Sequence, residues 1–214
     1  MNPTISEIVV NRNQNTIIEP YFEHSVGGQE VDQKTIVELS VENDYLLIRF
    51  NCLNDPFVND NYYFNDNSAM WNQEVFEVFI ANGKDDPTDY LEIEINPNNA
   101  IFIAKVKNPD KLGSELSFEF INPNESGIVH EVNKETVSWK GYMLLPLSLI
   151  QYPDTEKENQ FRINFYRIIL QEKQNNKDWK CSSENSTFAC WSSTRADKPA
   201  FHRSGYFGLM TIRK

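Results

Sequence analysis

The feature of this sequence that most constrains its fold is an alternation of apolar and polar residues with a period of two. Successive side chains of a β-strand point to opposite faces, so the alternation is typical of strands with one buried face. A helical stripe would instead need spacings of three and four. The alternation occurs in residues 36–41, 45–50, 74–81, 90–96, 100–106, 116–121, 136–145, 161–170 and 206–212. The sequence therefore predicts a β protein.

The connections between the predicted strands favour two packed sheets. Most of them are too short for a crossover helix, which predicts antiparallel pairing. Residues 42–44 are turn formers between two runs and predict a hairpin, while residues 147–152 predict the one helical turn. We therefore expect an all-β, antiparallel two-sheet β-sandwich of the jelly-roll type, with long loops and little helix. Because no change of composition divides the chain, residues 1–214 are expected to form one domain.

Charge and hydropathy exclude several classes of partner. The 214 residues include 20 Lys and Arg against 31 Asp and Glu, a net charge of −11, whereas a nucleic-acid-binding surface needs clustered positive charge. No apolar run is long enough to span a membrane. Residues 1–10 do not resemble a secretory signal. The sequence as given predicts a cytoplasmic protein, or an extracellular or periplasmic one if a leader has been removed.

Three cysteines, Cys52, Cys181 and Cys190, do not form the pattern of a disulfide framework or a zinc site. An odd number cannot pair completely, and no two of them have the spacing of zinc ligands. We expect reduced thiols, as is usual inside cells. The alternative is a single Cys181–Cys190 bridge in an oxidising compartment.

Polar residues on two of the predicted strands suggest a ligand with many hydroxyl groups. The residues on these polar faces are Glu92, Glu94 and Asn96 in one strand and Arg162, Asn164 and Tyr166 in another. An antiparallel sheet can simply expose such a face to water. These side chains nevertheless combine bidentate donors and acceptors that suit the paired hydroxyls of a sugar ring. If the strands share one sheet, their polar faces would form a sugar-binding platform.

Two tryptophans, Trp71 and Trp191, lie in irregular stretches that the alternation does not cover. A loop tryptophan often covers the core, and this alternative stays open. The electron-rich face of an indole can also stack on the C–H bonds of a pyranose. We expect the two rings to lie at one rim of the sandwich and to hold a sugar between them, while Trp139, inside a strand, is assigned to packing.

Glu77 is the carboxylate with the most informative position. Its neighbours on the same strand face are Val75 and Phe79, and a carboxylate in apolar surroundings must be paired, hydrogen-bonded or directed into a cleft. The two alternatives are an ion pair with an arginine and a contact with a ligand. Glu74, at the start of the same strand, is expected to be exposed to solvent.

Six segments carry a further signal because of their order along the chain. They are residues 71–80, 90–96, 139–147, 162–167, 190–192 and 201–208. Together they resemble the family 9-like carbohydrate-binding modules of the DOMON-like superfamily. The resemblance implies a β-sandwich that binds xylan, cellulose or a related oligosaccharide or polysaccharide without catalysis. The binding residues that it implies are Trp71, Glu77, Asn96, Arg162, Asn164 and Trp191.

A possible cofactor is structural calcium, which some members of that family hold. Asp55, Asp60 and Asp66 lie in one loop that is rich in Asp and Asn, and hard oxygen ligands suit calcium. The order of these residues does not match an EF-hand loop, and a solvated loop is the alternative.

Two other functions stay open. One is a glycoside hydrolase in which Glu77 acts together with Glu92 or Glu94, at a carboxyl separation of about 5–5.5 Å for retention or about 6.5–9.5 Å for inversion. The other is a protein-interaction sandwich that binds no sugar. An apolar patch on an exposed sheet would favour that last function.

Overall fold

The alternating segments form strands, as predicted. A computed structural model describes residues 4–19, 21–153, 159–174, 176 and 178–213. The strands in this part of the chain are β1 Glu7–Asn11, β2 Thr16–Ile17, β3 Glu23–His24, β4 Thr35–Glu42, β5 Tyr45–Cys52, β6 Val75–Asn82, β7 Asp89–Ile95, β8 Ile101–Lys107, β9 Ser117–Phe120, β10 Val129–Lys134, β11 Trp139–Pro146, β12 Gln160–Leu170, β13 Ser186–Cys190 and β14 Gly208–Arg213. Among the described residues, one α-helix, α1 Leu147–Ile150, follows β11 at the predicted helical turn, and four short 3₁₀ turns lie at Val58–Asp60, Met70–Asn72, Pro123–Glu125 and Ser204–Tyr206.

The strands form two sheets, which confirms the two-sheet, all-β prediction. The first sheet has nine strands, with the order β1-β14-β12-β6-β7-β8-β9 and with β13 and β3 joined to β12. Strand β12 is long enough to pair with β14 along its first half and with β13 along its second half. The second sheet has five strands in the order β10-β11-β5-β4-β2. Neighbouring strands are antiparallel except for the parallel pair β1 and β14.

The main apolar core lies between the two sheets. Leu39 and Ile48 of the five-stranded sheet and Val78, Ile93 and Ile163 of the nine-stranded sheet are fully buried in it. Since side chains alternate along each strand, every second residue of β6, β7, β8 and β12 points to the opposite, outer face of the nine-stranded sheet. This outer face carries Glu77, Glu92, Glu94, Arg162 and Asn164, whereas Arg167 of β12 lies on the inner face.

Several elements differ from the sequence-based expectation. Strands β1, β2, β3, β10 and β13 were not predicted. Two of them have only two residues, too few to show an alternation, and β13 lies just before Trp191, in a stretch that the alternation does not cover. The strand predicted for residues 136–145 begins at Trp139. The hairpin between β4 and β5 is present, and Asn43 in its turn has a positive φ of 51°, which Asn tolerates better than most residues.

The cysteines are unbridged, so the alternative of a Cys181–Cys190 disulfide is wrong. Cys190 is buried in a cluster on the outer side of the nine-stranded sheet. Cys181 instead donates a hydrogen bond of 3.2 Å to the carbonyl oxygen of Trp71. Among the described residues, no helix has the length and apolar character needed to cross a bilayer.

A buried ionic network joins the two sheets at one end of the core. Arg167 of β12 is fully buried, and its guanidinium lies 2.9 Å from Glu74 Oε1 and 3.3 Å from Asp55 Oδ2. It also donates to the hydroxyl of Thr35 at 3.4 Å. The indole N–H of Trp139, in the other sheet, donates to Glu74. The expectation that Glu74 is exposed is therefore wrong, because Arg167 and Trp139 satisfy its carboxylate inside the protein.

Burial and the nearby charge of Asp55 raise the pKa of Glu74 to about 8, although Arg167 opposes this shift. Burial likewise raises the pKa of Asp55, again against the effect of Arg167. Two carboxylates thus share one guanidinium. The network has no spare positive charge, and it depends on the arginine.

Replacing Arg167 with methionine should therefore leave two buried carboxylates without their cation. Arg167→Met should lower the free energy of unfolding by about 3–5 kcal/mol at neutral pH. Urea unfolding followed by circular dichroism would measure the change.

The matched control is Arg49→Met, because Arg49 forms an ion pair of 3.0 Å with Glu38 at the surface. This change should cost less than about 1 kcal/mol. Equal losses in the two variants would contradict a structural role for the buried network.

Candidate functional site

A cleft of about 1160 Å³ opens on the outer face of the nine-stranded sheet. This volume is slightly above the range of about 300–1,000 Å³ that is usual for small-molecule pockets. The strand residues that line it are Glu77 of β6, Glu92 of β7, Phe102 of β8, Phe118 and Phe120 of β9 and Ile168 of β12. Loop residues 112–114, 181–183 and 198–202 complete the lining, together with Trp71. The cleft therefore combines aromatic walls with carboxylates at its floor.

Trp71 lies at the wall of this cleft, on a 3₁₀ turn (Met70–Asn72) just before β6. Its side chain is 41% exposed, and its ring meets Phe102 edge-on with 5.3 Å between the ring centroids. Cys181 holds the turn through its bond to the Trp71 carbonyl. The ring is thus fixed in place and still open to solvent, as a stacking platform must be.

Three carboxylates, Glu77, Glu92 and Glu94, meet at the floor of the cleft. Glu77 and Glu94 are directly opposite each other on β6 and β7, and Glu92 lies on the same face because it is two residues from Glu94. None of the three is more than 4% exposed. One oxygen from each lies within 4.8 Å of the others. We call these residues the carboxylate triad.

The triad has no positive partner among the residues that the structure describes. The ion pairs there involve other carboxylates, so the alternative of an arginine partner for Glu77 is wrong. Both carboxyl oxygens of Glu94 and Oε2 of Glu92 are buried without a hydrogen-bond partner. Glu77 instead lines the cleft. Of the two alternatives for Glu77, the contact with a ligand is therefore the one that remains.

Burial and mutual repulsion hold protons on the triad. Burial raises the pKa of Glu92 to about 7. A hydrogen bond between the carboxyl groups of Glu94 and Glu92 acts in the opposite direction and lowers the pKa of Glu92. Burial also raises the pKa of Glu77 well above its usual value, and the charge of Glu92 adds to the effect. The pKa of Glu94 is raised by burial and by the charges of both neighbours. The site therefore favours protons or another source of positive charge.

The separation of these carboxylates also bears on the hydrolase alternative. Retaining glycosidases keep their two carboxyl groups about 5–5.5 Å apart, and inverting enzymes keep them about 6.5–9.5 Å apart. In the triad, one oxygen of each group lies within 4.8 Å of the others. This limit applies to the nearest oxygens and not to the separation of whole carboxyl groups, so it is compatible with the retaining arrangement and leaves the hydrolase alternative open.

His202 fixes one edge of the cleft. Its Nδ1 and the hydroxyl of Tyr90 share a hydrogen bond of 2.7 Å, and Asn108 donates to its carbonyl oxygen at 2.6 Å. Gly113, with a φ of +82°, packs so closely that a β-carbon there would lie 2.8 Å from the His202 β-carbon. Burial lowers the pKa of His202 to about 4. The imidazole is therefore neutral at physiological pH and acts as a structural contact.

The expectation that Trp191 faces Trp71 across the rim is wrong. Trp191 is only 1% exposed and lies in the core between the sheets, where its ring meets Phe165 edge-on at 5.9 Å. Its indole N–H donates to the carbonyl of Glu19. Gly208 makes room for the ring, because a β-carbon there would lie 2.4 Å from it. Only Trp71 of the predicted pair lines the cleft.

The assignment of Arg162 to sugar binding is also corrected. Arg162 is on the outer face, as predicted, but its side chain is only 4% exposed. Its guanidinium donates to the carbonyl oxygens of Phe207 and Gly205 and pairs with Asp86. It holds two loops against the sheet, and it is not among the residues that line the cleft.

Asn96 and Asn164 are likewise buried and satisfied by the protein itself. Asn96 donates to the Tyr63 carbonyl at 2.8 Å and accepts from the backbone N–H of Ala100 at 3.0 Å. Asn164 donates to the carbonyl of Ser192 at 2.8 Å and accepts from its N–H at 2.9 Å. Both residues are fully buried. They hold turns and loops in place, which corrects their assignment as sugar contacts.

The predicted calcium loop does not gather its acidic residues. Asp55 is paired with Arg167, and Asp66 accepts a hydrogen bond of 3.0 Å from the backbone N–H of Ile101. Asp60 does not form a metal-binding group with either of them. Within the described ranges, the triad is the group of three acidic, His or Cys side chains that could share a metal ion. The Asp55, Asp60 and Asp66 assignment is therefore wrong, because two of these carboxylates serve the fold.

Phe118 and Phe120 are site residues that the sequence reasoning missed. They are 43% and 61% exposed and line the cleft from β9. Their spacing of two places both on the face that carries the triad. The spacing of two in the sequence predicts that both rings share one face of a strand. It does not predict whether that face borders a cleft.

The lowered pKa of His202 has a consequence for stability. The unfolded chain binds a proton near pH 6.5 and the folded protein only near pH 4, so this residue's contribution to stability is lost as the pH falls through that interval. His202→Gln should reduce the loss of stability between these pH values by about 1–3 kcal/mol relative to the wild type.

Urea unfolding at a series of pH values would measure this difference, and NMR titration of the His202 ring would give its pKa directly. Parallel stability profiles in the two proteins, or a ring that titrates near pH 6.5, would contradict this account.

Comparison with known proteins places the fold among those of carbohydrate-binding proteins. No protein-family model matches the chain. An Arthroderma benhamiae protein described as "Extracellular protein" is 28% identical over 196 residues, which cover 87% of this chain and 82% of that protein.

Among solved structures, a candidate carbohydrate-binding protein of Bacteroides uniformis has a TM-score of 0.71 at 14% identity, covering 98% of this chain and all of that one. A carbohydrate-binding module of family 9 from Caldicellulosiruptor kristjanssonii, in complex with cellotriose, has a TM-score of 0.57 at 12% identity, with coverage of 97% and 94%. The chain therefore has a fold similar to that of family 9 carbohydrate-binding modules.

Proposed function

We propose that this protein binds carbohydrate, without catalysis, in the cleft on the outer face of the nine-stranded sheet. The observation that carries the proposal is the exposed Trp71 ring at the wall of a cleft whose floor presents Glu77 and Glu92. An indole face stacks on the apolar face of a sugar ring, and carboxylates accept hydrogen bonds from sugar hydroxyls. The cleft offers both within one lining.

The proposed ligand is a xylan- or cellulose-type oligosaccharide. The family 9 modules of similar fold are complexes with cellotriose and with glucose, which supports chains of this type. The volume of about 1160 Å³ leaves room for more than a single small ligand. Phe118 and Phe120 offer further exposed rings in the same cleft, and in this proposal they take the place of the second tryptophan.

The proposed location is extracellular. The relative from Arthroderma benhamiae carries the description "Extracellular protein", and polysaccharides of this type are encountered outside cells. The net charge of −11 is compatible with this ligand because the proposed polysaccharides are neutral.

Removing the Trp71 ring should abolish most of the binding. Trp71→Ala should weaken the affinity for cello- or xylo-oligosaccharides by about 30-fold or more, the loss expected for a central aromatic contact. Isothermal titration calorimetry with both oligosaccharide series, and the quenching of tryptophan fluorescence in the wild type, would measure it.

The matched control is Phe64→Ala, which removes a ring that is 70% exposed but does not line the cleft. Its affinity should equal that of the wild type. A wild type that binds no member of a broad glycan panel would overturn the proposal and favour a protein-interaction role. Release of reducing sugar during the titrations would favour the hydrolase.

The variant Trp191→Phe distinguishes the proposed site, which contains only Trp71 of the two tryptophans, from a site in which both tryptophans hold the sugar. Because Trp191 is in the core, this change should lower the free energy of unfolding by about 1–3 kcal/mol, and the oligosaccharide affinity should stay unchanged. Thermal unfolding and calorimetry would be measured on the same sample. A loss of affinity as large as that of Trp71→Ala, without a loss of stability, would show that Trp191 contacts the ligand.

A further inference from the structure

The carboxylate triad is the one acidic cluster of the described chain whose burial no protein group explains. Glu77, Glu92 and Glu94 would together bring three negative charges into a nearly water-free floor. Buried charges of this kind are stable only when they are paired or bind a metal. The described ion pairs include none of the three. The three charges must therefore be neutralised by bound protons or by a cation from outside the chain.

Glu94 gives a separate indication of a bound ligand. It is fully buried, and apart from a proton that it can share with Glu92, neither of its carboxyl oxygens has a hydrogen-bond partner. It does not line the cleft itself, but its oxygen lies within 4.8 Å of those of Glu77 and Glu92, which do. A buried acceptor left unsatisfied costs about 1–3 kcal/mol, and more when it is charged. Its orientation towards the other two carboxylates points to a species held between all three.

We propose that Glu77, Glu92 and Glu94 bind a divalent cation, of which calcium fits best, at the floor of the cleft. Calcium takes oxygen ligands at about 2.3–2.6 Å, so two of its ligands can be up to about 4.6–5.2 Å apart. The spread of 4.8 Å among the triad oxygens falls inside that limit. The carboxylates need to move little to share one ion.

The donor set selects among the common divalent metals. All three donors are carboxylate oxygens, and the group of the described chain that could hold a metal includes no His or Cys. Zinc usually takes nitrogen or sulfur ligands. Magnesium requires a near-ideal octahedron at about 2.0–2.1 Å and usually keeps several waters, so it suits a site of three protein carboxylates less well than calcium does. Glu77 and Glu92 line the cleft, so the remaining coordination positions face a space that water or a ligand can enter.

This inference goes beyond the proposed carbohydrate binding and does not depend on it. The test therefore uses the metal alone, on the full-length protein after treatment with EDTA. Calorimetric titration with CaCl₂ should show a single saturable site, and calcium should raise the thermal unfolding midpoint. Titration with MgCl₂ should show weaker binding. Terbium luminescence, excited through the aromatic residues and displaced by calcium, gives a second readout.

Glu94→Gln removes one ligand charge while it keeps the size of the side chain. It should weaken calcium binding by more than about tenfold, the minimum seen when even an outer partner of a metal site is lost. The matched control, Glu119→Gln, alters an exposed carboxylate that pairs with Lys105 and should bind calcium like the wild type. Circular dichroism would establish that both variants are folded, and Glu92→Gln would replace Glu94→Gln if that variant does not fold.

Two results would overturn the proposal. One is the absence of calcium and terbium binding by the folded wild type up to millimolar concentrations. The other is equal calcium affinity in the wild type and in both triad variants. Neither result depends on whether an oligosaccharide binds, so the metal site and the carbohydrate site can fail separately.

Discussion

The fold and the cleft both depend on the buried guanidinium of Arg167. It contacts Glu74 and Asp55 and reaches Thr35, so one side chain of the nine-stranded sheet is tied to the start of β4 and to the segment after β5. Glu74 lies between Trp71 and Glu77 in the chain, three residues from each, and its carbonyl accepts a hydrogen bond of 2.9 Å from Asn61. The same contact that joins the sheets therefore fixes the position of the cleft wall and of the strand that supplies its floor.

Two groups of buried carboxylates lie on opposite faces of the nine-stranded sheet, and their surroundings differ. On the inner face, Glu74 and Asp55 have a guanidinium and hydrogen-bond donors from the protein. On the outer face, the triad has no such cation in the described chain, and Glu94 has no donor. The cost of burying charge is similar on both faces. The first group is therefore complete as a structural element, whereas the second is complete only with a ligand or bound protons.

The alternation in the sequence was sufficient to predict the two-sheet fold and the side of each strand on which Glu77, Glu92 and Arg162 lie. The alternation could not predict which of these polar groups would form hydrogen bonds within the protein itself. The guanidinium of Arg162 donates a hydrogen bond to the carbonyl oxygen of Phe207, which lies far along the chain. The position of Trp191 depends on the space that Gly208 leaves. Such contacts join segments whose approach follows from loop paths, and a periodicity of two carries no information about loop paths.

The two proposed ligands meet at Glu77 and Glu92, which face both the cleft and Glu94. Two ionised carboxylates whose nearest oxygens lie within 4.8 Å of each other repel each other by at least about 3 kcal/mol at an effective dielectric constant near 20. In the absence of a cation, this repulsion favours protonated forms, and a protonated carboxyl group has less capacity to accept hydrogen bonds from hydroxyls. A divalent ion among the three would keep them ionised and would offer open coordination positions to the cleft. On these proposals, the cation site prepares the floor of the cleft for a polyhydroxylated ligand, while Trp71 supplies the apolar contact from the wall.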